Sequence, residues 1–508
     1  MVMECEHEHV TRTDKPEPGR PSLRRQAARG SAILLAAQAA KVVIAVVSVV
    51  VLSRLIEPSA FGLVVMVTAI SGVASIFLDF GLSTAALRSP DITHQQQSNL
   101  FWINAGTGLV LAATVFAFSW AVAGFYGDPR LVVVTQWLSL ALVLGGVNTQ
   151  FRITLNRAMR FGALAIGEVA ATLFGLAAAV VVALFGYGIA ALVVQTLATS
   201  LVILVFNVAQ AQWWPKLPHR DAGMRALVKF GAGMAATQLL WYATRNIDSI
   251  AIGRVWGPTE LGLYDRAFRL AVAPILQVNQ PMTKVALPVL SRHLDNPTRY
   301  MAALREGQLI ACYLTSSVLL VLAGVAGPLV NVLLGPAWTG VEGLVMVLAV
   351  GSTFRAIQQV VNWLFISKGL SGSLLRLNLW MQPLTIGFIL AGVNWGAMGV
   401  AVGGTVGFAV QWVASFMWAA RAASLDLRPL FFAALKVVAT FGLPAGALAF
   451  MASTFIPVSP IWQLLAGLAL AAAWFAAVGW LSRTTRSDLT TLWRFIRLAL
   501  GRRDSPST

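Results

Sequence analysis

The sequence predicts an all-α polytopic membrane protein of about 14 transmembrane helices, built as two parallel six-helix repeats plus a C-terminal hairpin. Composition is the first observation behind this. Of 508 residues, 57% are hydrophobic and only 11% charged, with a mean hydropathy of +0.75. A soluble chain carries about a quarter charged residues. The second is length: stretches of about 20 apolar residues recur, each able to cross about 30 Å of hydrocarbon. A backbone facing lipid must satisfy its own hydrogen bonds, so these stretches are expected as helices. The third is a repeat. Ser53-Arg54-Leu55-Ile56-Glu57-Pro58-Ser59-Ala60-Phe61-Gly62-Leu63 returns as Gly253-Arg254-Val255-Trp256-Gly257-Pro258-Thr259-Glu260-Leu261-Gly262-Leu263, with Arg, Pro, Gly and Leu spaced alike 200 residues apart.

Taken in order, residues 1–29 are polar and lack the apolar centre of a cleavable signal, so they are expected as a disordered cytoplasmic tail. Its Glu4, His7 and His9 have nothing nearby to fix a coordination geometry, and no metal site is expected. The N-terminal lobe, 30–210, holds spans at about 31–53, 61–86, 99–124, 131–151, 163–185 and 189–210. A cytoplasmic linker, 211–226, carries Trp213, Trp214, Pro215 and Pro218. The C-terminal lobe, 227–420, holds spans at about 228–252, 262–290, 305–334, 342–366, 373–393 and 397–420. An additional hairpin fills 421–482, with spans at about 429–452 and 461–481. In the cytoplasmic tail 483–508, Leu489–Leu500 sets Arg494 and Arg497 opposite Leu492, Trp493 and Ile496, the pattern of a helix lying on a membrane surface.

The duplication extends beyond the turn. Gln38 pairs with Gln238 at the same offset; at an offset of 208, Gly127 pairs with Gly335, Arg160 with Lys368 and Gly188 with Gly396. Lys and Arg concentrate in the even-numbered connections and the tails, while odd-numbered connections carry Arg54, Arg130, Arg254, Arg266 and Arg269. By the positive-inside rule both termini are expected in the cytoplasm. Six spans per repeat is an even number, so the repeats share one orientation.

Several function classes are disfavoured. Two cysteines, Cys5 and Cys312, allow neither a disulfide framework nor a CxxC metal site. The net charge of +17 is spread over short loops rather than gathered on one face, which argues against nucleic acid. There is no phosphate-binding P-loop and no HExxH. A membrane glycosyltransferase or polysaccharide ligase would need acidic or His groups in a sizeable outer loop; here the outer loops are short, with Glu57, Asp128, Glu260, Asp265 and Glu342 scattered. The chain is not expected to be an enzyme, and no cofactor is expected.

Four basic residues, Lys41, Arg245, Lys284 and Arg355, fall inside expected spans, where each costs about 3 kcal/mol unless paired or watered. They are the candidate substrate-binding groups. Lys41 has no acid within a helical turn. Asp248, three residues past Arg245, could neutralise that arginine in a purely structural pair. Snorkelling toward the inner face is the competing account of Lys284 and Arg355. Span 8 is punctuated by Pro274, Pro281 and Pro288, with Gln277, Asn279 and Gln280 between. Gly81 and Asp79 match Pro281 and Asn279 in span 2. Interrupted helices at matching positions point to a transport site. Arg54 and Arg254, at matched outer ends, are a candidate outer gate or plain interfacial anchors. Asp79, Asp248 and Glu168 are the candidates for ion coupling. Basic groups outnumber acids in this set, which favours an anionic substrate.

The pattern Leu52-Ser53-Arg54-Leu55 … Pro58-x-x-Phe61-Gly62, followed by Asp79-Phe80-Gly81-Leu82-Ser83-Thr84-Ala85, resembles bacterial polysaccharide flippases. So does Asp248-Ser249-Ile250-Ala251-Ile252-Gly253-Arg254 … Gly262-Leu263-Tyr264. These belong to the multidrug/oligosaccharidyl-lipid/polysaccharide exporter superfamily, and the resemblance is to its lipopolysaccharide (Wzx-type) branch over about residues 28–420. It implies two six-helix lobes in a V, opening alternately to each side of the bacterial cytoplasmic membrane. The implied substrate is a polyprenyl-diphosphate-linked glycan: an O-antigen or exopolysaccharide repeat unit on undecaprenyl diphosphate. A proton or sodium gradient is the implied energy source. Membrane lipids and polysaccharide polymerase machinery are the implied partners. A lipid-linked peptidoglycan-precursor flippase and a multidrug exporter are the alternatives within the superfamily.

Overall fold

The computed structural model describes residues 23–79, 93–218, 225–482 and 485–486, with side chains for all of these except 23–35, 79, 225–241, 243–245, 273–278 and 280–281. Glu4, His7 and His9, the matched Gly81, and the amphipathic Leu489–Leu500 lie outside the described residues.

Proline and glycine set the ends of the helices. α1 (Leu23–Leu55) stops just before Pro58, which opens α2 (Pro58–Asp79). Proline suits a first helical turn because the N–H it lacks has no intrahelical partner there. α3 (His94–Ala117) starts with a reciprocal cap: Thr93 accepts from the Gln96 N–H, and the Gln96 side chain accepts from the Thr93 N–H. α4 (Ser119–Tyr126), α5 (Arg130–Arg157), α6 (Phe161–Leu184) and α7 (Gly188–Ala211) complete the first half. The tail expected to be disordered through residue 29 thus ends in helix from Leu23 onward.

The second half begins with α8 (Arg225–Ala271), two helical arms joined at Gly257. With φ 83° and ψ −173°, Gly257 adopts a conformation that side chains disfavour, and Pro258 starts the second arm at once. α9 (Ala273–Ser291) follows after a break at Val272, with Pro274 in its first turn. The interruption expected of span 8 therefore falls at 272, and the helix runs on through Pro281 and Pro288. α10 (Pro297–Ala311), α11 (Ser317–Gly324) and α12 (Ala326–Leu333) form one bent span with a π-turn at Cys312–Ser316. α13 (Val341–Ser367), α14 (Ser371–Gly392) and α15 (Gly396–Ala423) close the lobe. α16 (Arg428–Val437), a second π-turn (Val438–Gly442), α17 (Leu443–Phe455) and α18 (Pro460–Leu481) make the final hairpin.

Among the described residues, eleven stretches are long and apolar enough to cross a membrane, against the fourteen expected spans. One of the eleven, Ser371–Ala423, runs 53 residues through both α14 and α15. The expected spans 7 and 8 are helical, and much of each lies outside the residues whose side chains are described, so the eleven do not bear on them. Large apolar side chains on the helices such as Phe174, Trp380 and Trp480 are exposed, as suits a helix wall facing lipid rather than water.

The two halves meet where their matching turns cross. A Cβ on Gly62 would collide with the Pro258 carbonyl, and a Cβ on Gly262 with the Pro58 carbonyl. The contact is reciprocal, as a pseudo-twofold axis between repeats requires. Lipid tails are as apolar as leucine, so helices in a membrane gain by close approach, and small residues permit it. One buried cluster spans this seam: Leu52, Phe61, Leu63 and Met66 from the first half join Ile252, Leu261, Trp338 and Val345 from the second. The final hairpin packs on the second half, where Trp412 stacks on Phe431 at 4.5 Å.

The described part of the linker is bound to the first lobe. Trp213 is buried against Phe101 and Phe151. The Lys216 N–H donates to Ser98 Oγ at 3.0 Å, and its carbonyl accepts from Trp102 Nε1 at 2.9 Å.

Candidate functional site

Among the described residues, charged side chains in the bundle and at its seam fall into four groups, the last of them Asp265, Arg266 and Arg269. The first is in the N-terminal lobe. Lys41 on α1 lies 2.7 Å from Glu168 on α6, with their side chains 34% and 46% exposed. The partner that sequence spacing could not supply comes from 127 residues away. A charge in mid-bilayer costs about 3 kcal/mol. Within this half-open pair each charge neutralises the other, which lowers that cost.

The second group is in the C-terminal lobe. The Asp248 carboxylate accepts from the Tyr264 hydroxyl at 2.7 Å and from the Ser249 N–H at 2.7 Å. Arg355 on α13 lies close enough to act electrostatically on both Asp248 and Tyr264, and its guanidinium sits 4.8 Å over the Phe408 ring. The side chain of Arg245, the partner expected for Asp248, lies outside the described residues, as does that of Asp79. Lys284 is exposed on α9. Beside it, Thr283 Oγ1 accepts from Gln359 Nε2 and Trp363 Nε1 and donates to the Asn279 carbonyl, tying α9 to α13.

The third group closes the seam at the end that carries the repeated turns. Arg54 Nη2 donates to the Val332 carbonyl at 2.5 Å, at the C-terminal end of α12, where a cation complements the helix dipole. The Arg254 guanidinium lies 5.7 Å from the Phe125 ring, at the end of α4. Each arginine thus reaches into the opposite half. At the offset of 208, Val332 matches Gly124 and Leu333 matches Phe125, so the two reaches are equivalent. Trp338, fully buried, donates from Nε1 to the Ser53 carbonyl at 2.6 Å and packs on Phe61 with ring centroids 5.6 Å apart.

One expectation needs correction. Arg266 and Arg269 were assigned to an odd-numbered connection, but the second arm of α8 starts at Pro258. They stand in its third and fourth turns, with Arg266 only 7% exposed. Asp265 pairs with Arg266 at 3.3 Å and with Arg269 at 2.8 Å. The turn contracts onto Gly257, and this moves all three charges into the bundle. The i,i+4 spacing of Asp265 and Arg269 was the available signal that they lie on a helix. No group of three or more His, Cys, Asp or Glu that could hold a metal occurs among the described residues.

Comparison with known proteins extends these findings. A family model described as "Polysaccharide biosynthesis protein" matches residues 51–342. The chain is similar to the lipopolysaccharide biosynthesis protein WzxC of Escherichia coli, 26% identical over 364 residues, covering 71% of this chain and 73% of that one. It is similar to the teichuronic acid biosynthesis protein TuaB of Bacillus subtilis, 28% identical over 58% of this chain and 62% of that one. The succinoglycan biosynthesis transport protein ExoT of Rhizobium meliloti is 26% identical over 58% of this chain and 59% of that one. The matched stretches span about three fifths of the latter two relatives. In fold, the chain resembles the inward closed lipid II flippase MurJ, with a TM-score of 0.70 at 12% identity, over 88% of this chain and 99% of that one. It also resembles an inward-facing multidrug resistance MATE family transporter of the MOP superfamily, with a TM-score of 0.59 at 16% identity, over 76% and 95%.

Proposed function

The chain belongs to the polysaccharide biosynthesis protein family, and from that premise we propose that it is a flippase. It carries an oligosaccharide linked to undecaprenyl diphosphate, an O-antigen or exopolysaccharide repeat unit, across the bacterial cytoplasmic membrane. It works by alternating access and not as an enzyme. The observation that carries this is the presence of basic side chains within the helices of both lobes. Lys41 and Arg355 stand on opposite halves, each beside an acid that an anion can replace. The diphosphate docks on Lys41, Arg245, Lys284 and Arg355 from the cytoplasm, Arg as a fork and Lys as a point charge. The sugar follows through the space between the lobes while the lipid tail stays in the bilayer.

The cross-lobe contacts of Arg54, Arg254 and Trp338 support a closed outer gate with the cavity open to the cytoplasm. Both termini are then cytoplasmic. Glu168, Asp248 and Asp79 couple the cycle to a proton or sodium gradient. Glu168 is the best placed, since it already neutralises a candidate substrate-binding lysine. A substrate shifts the lobes only as far as it binds one state better than the other. The product then passes to polysaccharide polymerase machinery on the far side.

The test is flipping of a fluorescent undecaprenyl-diphosphate oligosaccharide in proteoliposomes, with and without an imposed proton or sodium gradient. Translocation that depends on the protein is expected, and it is lost in the Lys41→Gln, Arg245→Gln double mutant. Wild-type flipping by that mutant overturns the site. No translocation with several glycans and either gradient overturns the function in favour of a drug exporter.

A further inference from the structure

The cluster Asp265, Arg266 and Arg269 carries one positive charge more than its own pairing requires. One carboxylate oxygen, Asp265 Oδ2, serves both arginines, at 2.8 Å from Arg269 Nε and 3.3 Å from Arg266 Nη2. Burying a charge is costly unless it is paired, so a purely structural device would keep one arginine, not two. The buried Arg266 Nε has no hydrogen-bond partner. Half of the Arg269 side chain is accessible, while Arg266 beside it is buried.

What compensates Arg266 comes from the other half of the molecule. Its guanidinium lies 3.8 Å over the ring of Phe61, on α2. Phe61 is 2% exposed, and the Trp338 ring packs on it as well. A first-lobe phenyl ring is thus held between an arginine and an indole of the second lobe. Parting the lobes at this end withdraws the ring and leaves Arg266 without its cation–π partner.

We propose that Arg269 and Arg266 form an anion site whose occupancy unlatches the seam. The ligand class is a diphosphate, or a carboxylate, on the transported glycan lipid. The inference rests on the flippase function and names a second station for the substrate, just beneath the closed end. An anion arriving at the accessible Arg269 competes with Asp265 for both guanidiniums. Arg266 turns from the Phe61 face toward the anion, and the hold on Phe61 is lost. By linkage, an anion that binds the parted state better than the closed one opens the seam. The direction is self-consistent for export, because the seam stays shut until the charged cargo has reached it.

The experiment uses the full chain in proteoliposomes, with Cys5 and Cys312 replaced and a reporter cysteine in place of Ser53, which is 3% exposed at the seam. Its maleimide labelling rate is measured with and without inorganic pyrophosphate. Pyrophosphate is expected to raise the rate several-fold. Arg269→Gln abolishes that rise, and Arg269→Lys restores part of it. Phe61→Leu raises the basal rate and blunts the response, because the ring that Arg266 would release is already gone. A rise that survives Arg269→Gln in a protein that still elutes as a single species overturns the proposal, and so does an absence of any rise in the unaltered seam. A pyrophosphate response without glycan flipping overturns the flippase function and leaves the anion latch standing. Flipping without the response does the reverse.

Discussion

Replacing Gly62 by alanine places a methyl group where the Pro258 carbonyl oxygen stands. The obstacle is backbone in the first turn of a helical arm, so no rotamer change can clear it. α2 and the second arm of α8 must move apart as bodies. Overpacking of this kind costs about 1–3 kcal/mol. The helix is formed in both states, so the better helix propensity of alanine cancels between them. The closed seam should therefore lose about 1–3 kcal/mol relative to a parted one. At about 1.4 kcal/mol per tenfold, that is a rise of about 5- to 140-fold in the parted population. The assay is the labelling rate of a cysteine in place of Ser53, beside the crossing. Gly106→Ala is the control, because a Cβ there meets nothing within 4 Å. Gly262→Ala should behave like Gly62→Ala, because the Pro58 carbonyl blocks it in the same way. If Gly62→Ala labels at the same rate as Gly106→Ala, the close crossing does not hold the seam.

Three further outcomes follow from the same geometry. Trp338→Phe keeps a ring against Phe61 but removes the donor to the Ser53 carbonyl. It should lower stability by about 1 kcal/mol in a thermal melt, and an unchanged midpoint would contradict the bond. Tyr264→Phe takes the hydroxyl from the Asp248 carboxylate. Its cost should be less than additive with that of Asp248→Asn, and strict additivity would show the two groups are uncoupled. Outside the spans, hydrogen bonds from Arg130 hold the Asp128 carboxyl below the usual carboxylate range. With the folded value depressed, the pair stabilises above an unfolded pKa of about 4 and fades as pH falls through the folded value. The wild type should exceed Asp128→Asn slightly at neutral pH, as suits an exposed pair, and match it in acid; a difference independent of pH would refute this.

The helical membrane class and the order of the helices were legible because they follow from apolar length and from punctuation by proline and glycine. The importance of the repeated turn was legible too, since Pro58, Gly62, Pro258 and Gly262 recur at one spacing. The partners were not. Lys41 meets Glu168 across 127 residues, and no local rule reaches that far. Phe61 read only as part of a motif, yet it touches both Arg266 and Trp338. The depth of Arg266 was misjudged for a specific reason. A turn of several residues was expected between spans 7 and 8, while Gly257 alone makes it. A few residues of error at a helix start are about 1.5 Å each along the axis. That is enough to carry a charge from the interface into the bundle.

The two halves repeat in packing but not in charge. At the offset of 200, Asp265, Arg266 and Arg269 answer to Val65, Met66 and Ala69. Met66 is fully buried in the joint core, and Ala69 is 2% exposed. The crossing of Gly62 on Pro258 and Gly262 on Pro58 needs the same residues twice, because each backbone must admit the other. A charged cluster needs to be present only once. A second copy at Met66 would bring another surplus positive charge to the same seam, where like charges repel at low dielectric. Packing thus kept both copies of the turn alike, while electrostatics favours only one arm bearing the arginines. The asymmetry leaves the first lobe to supply an uncharged ring, Phe61, against which a single cation can be held or released.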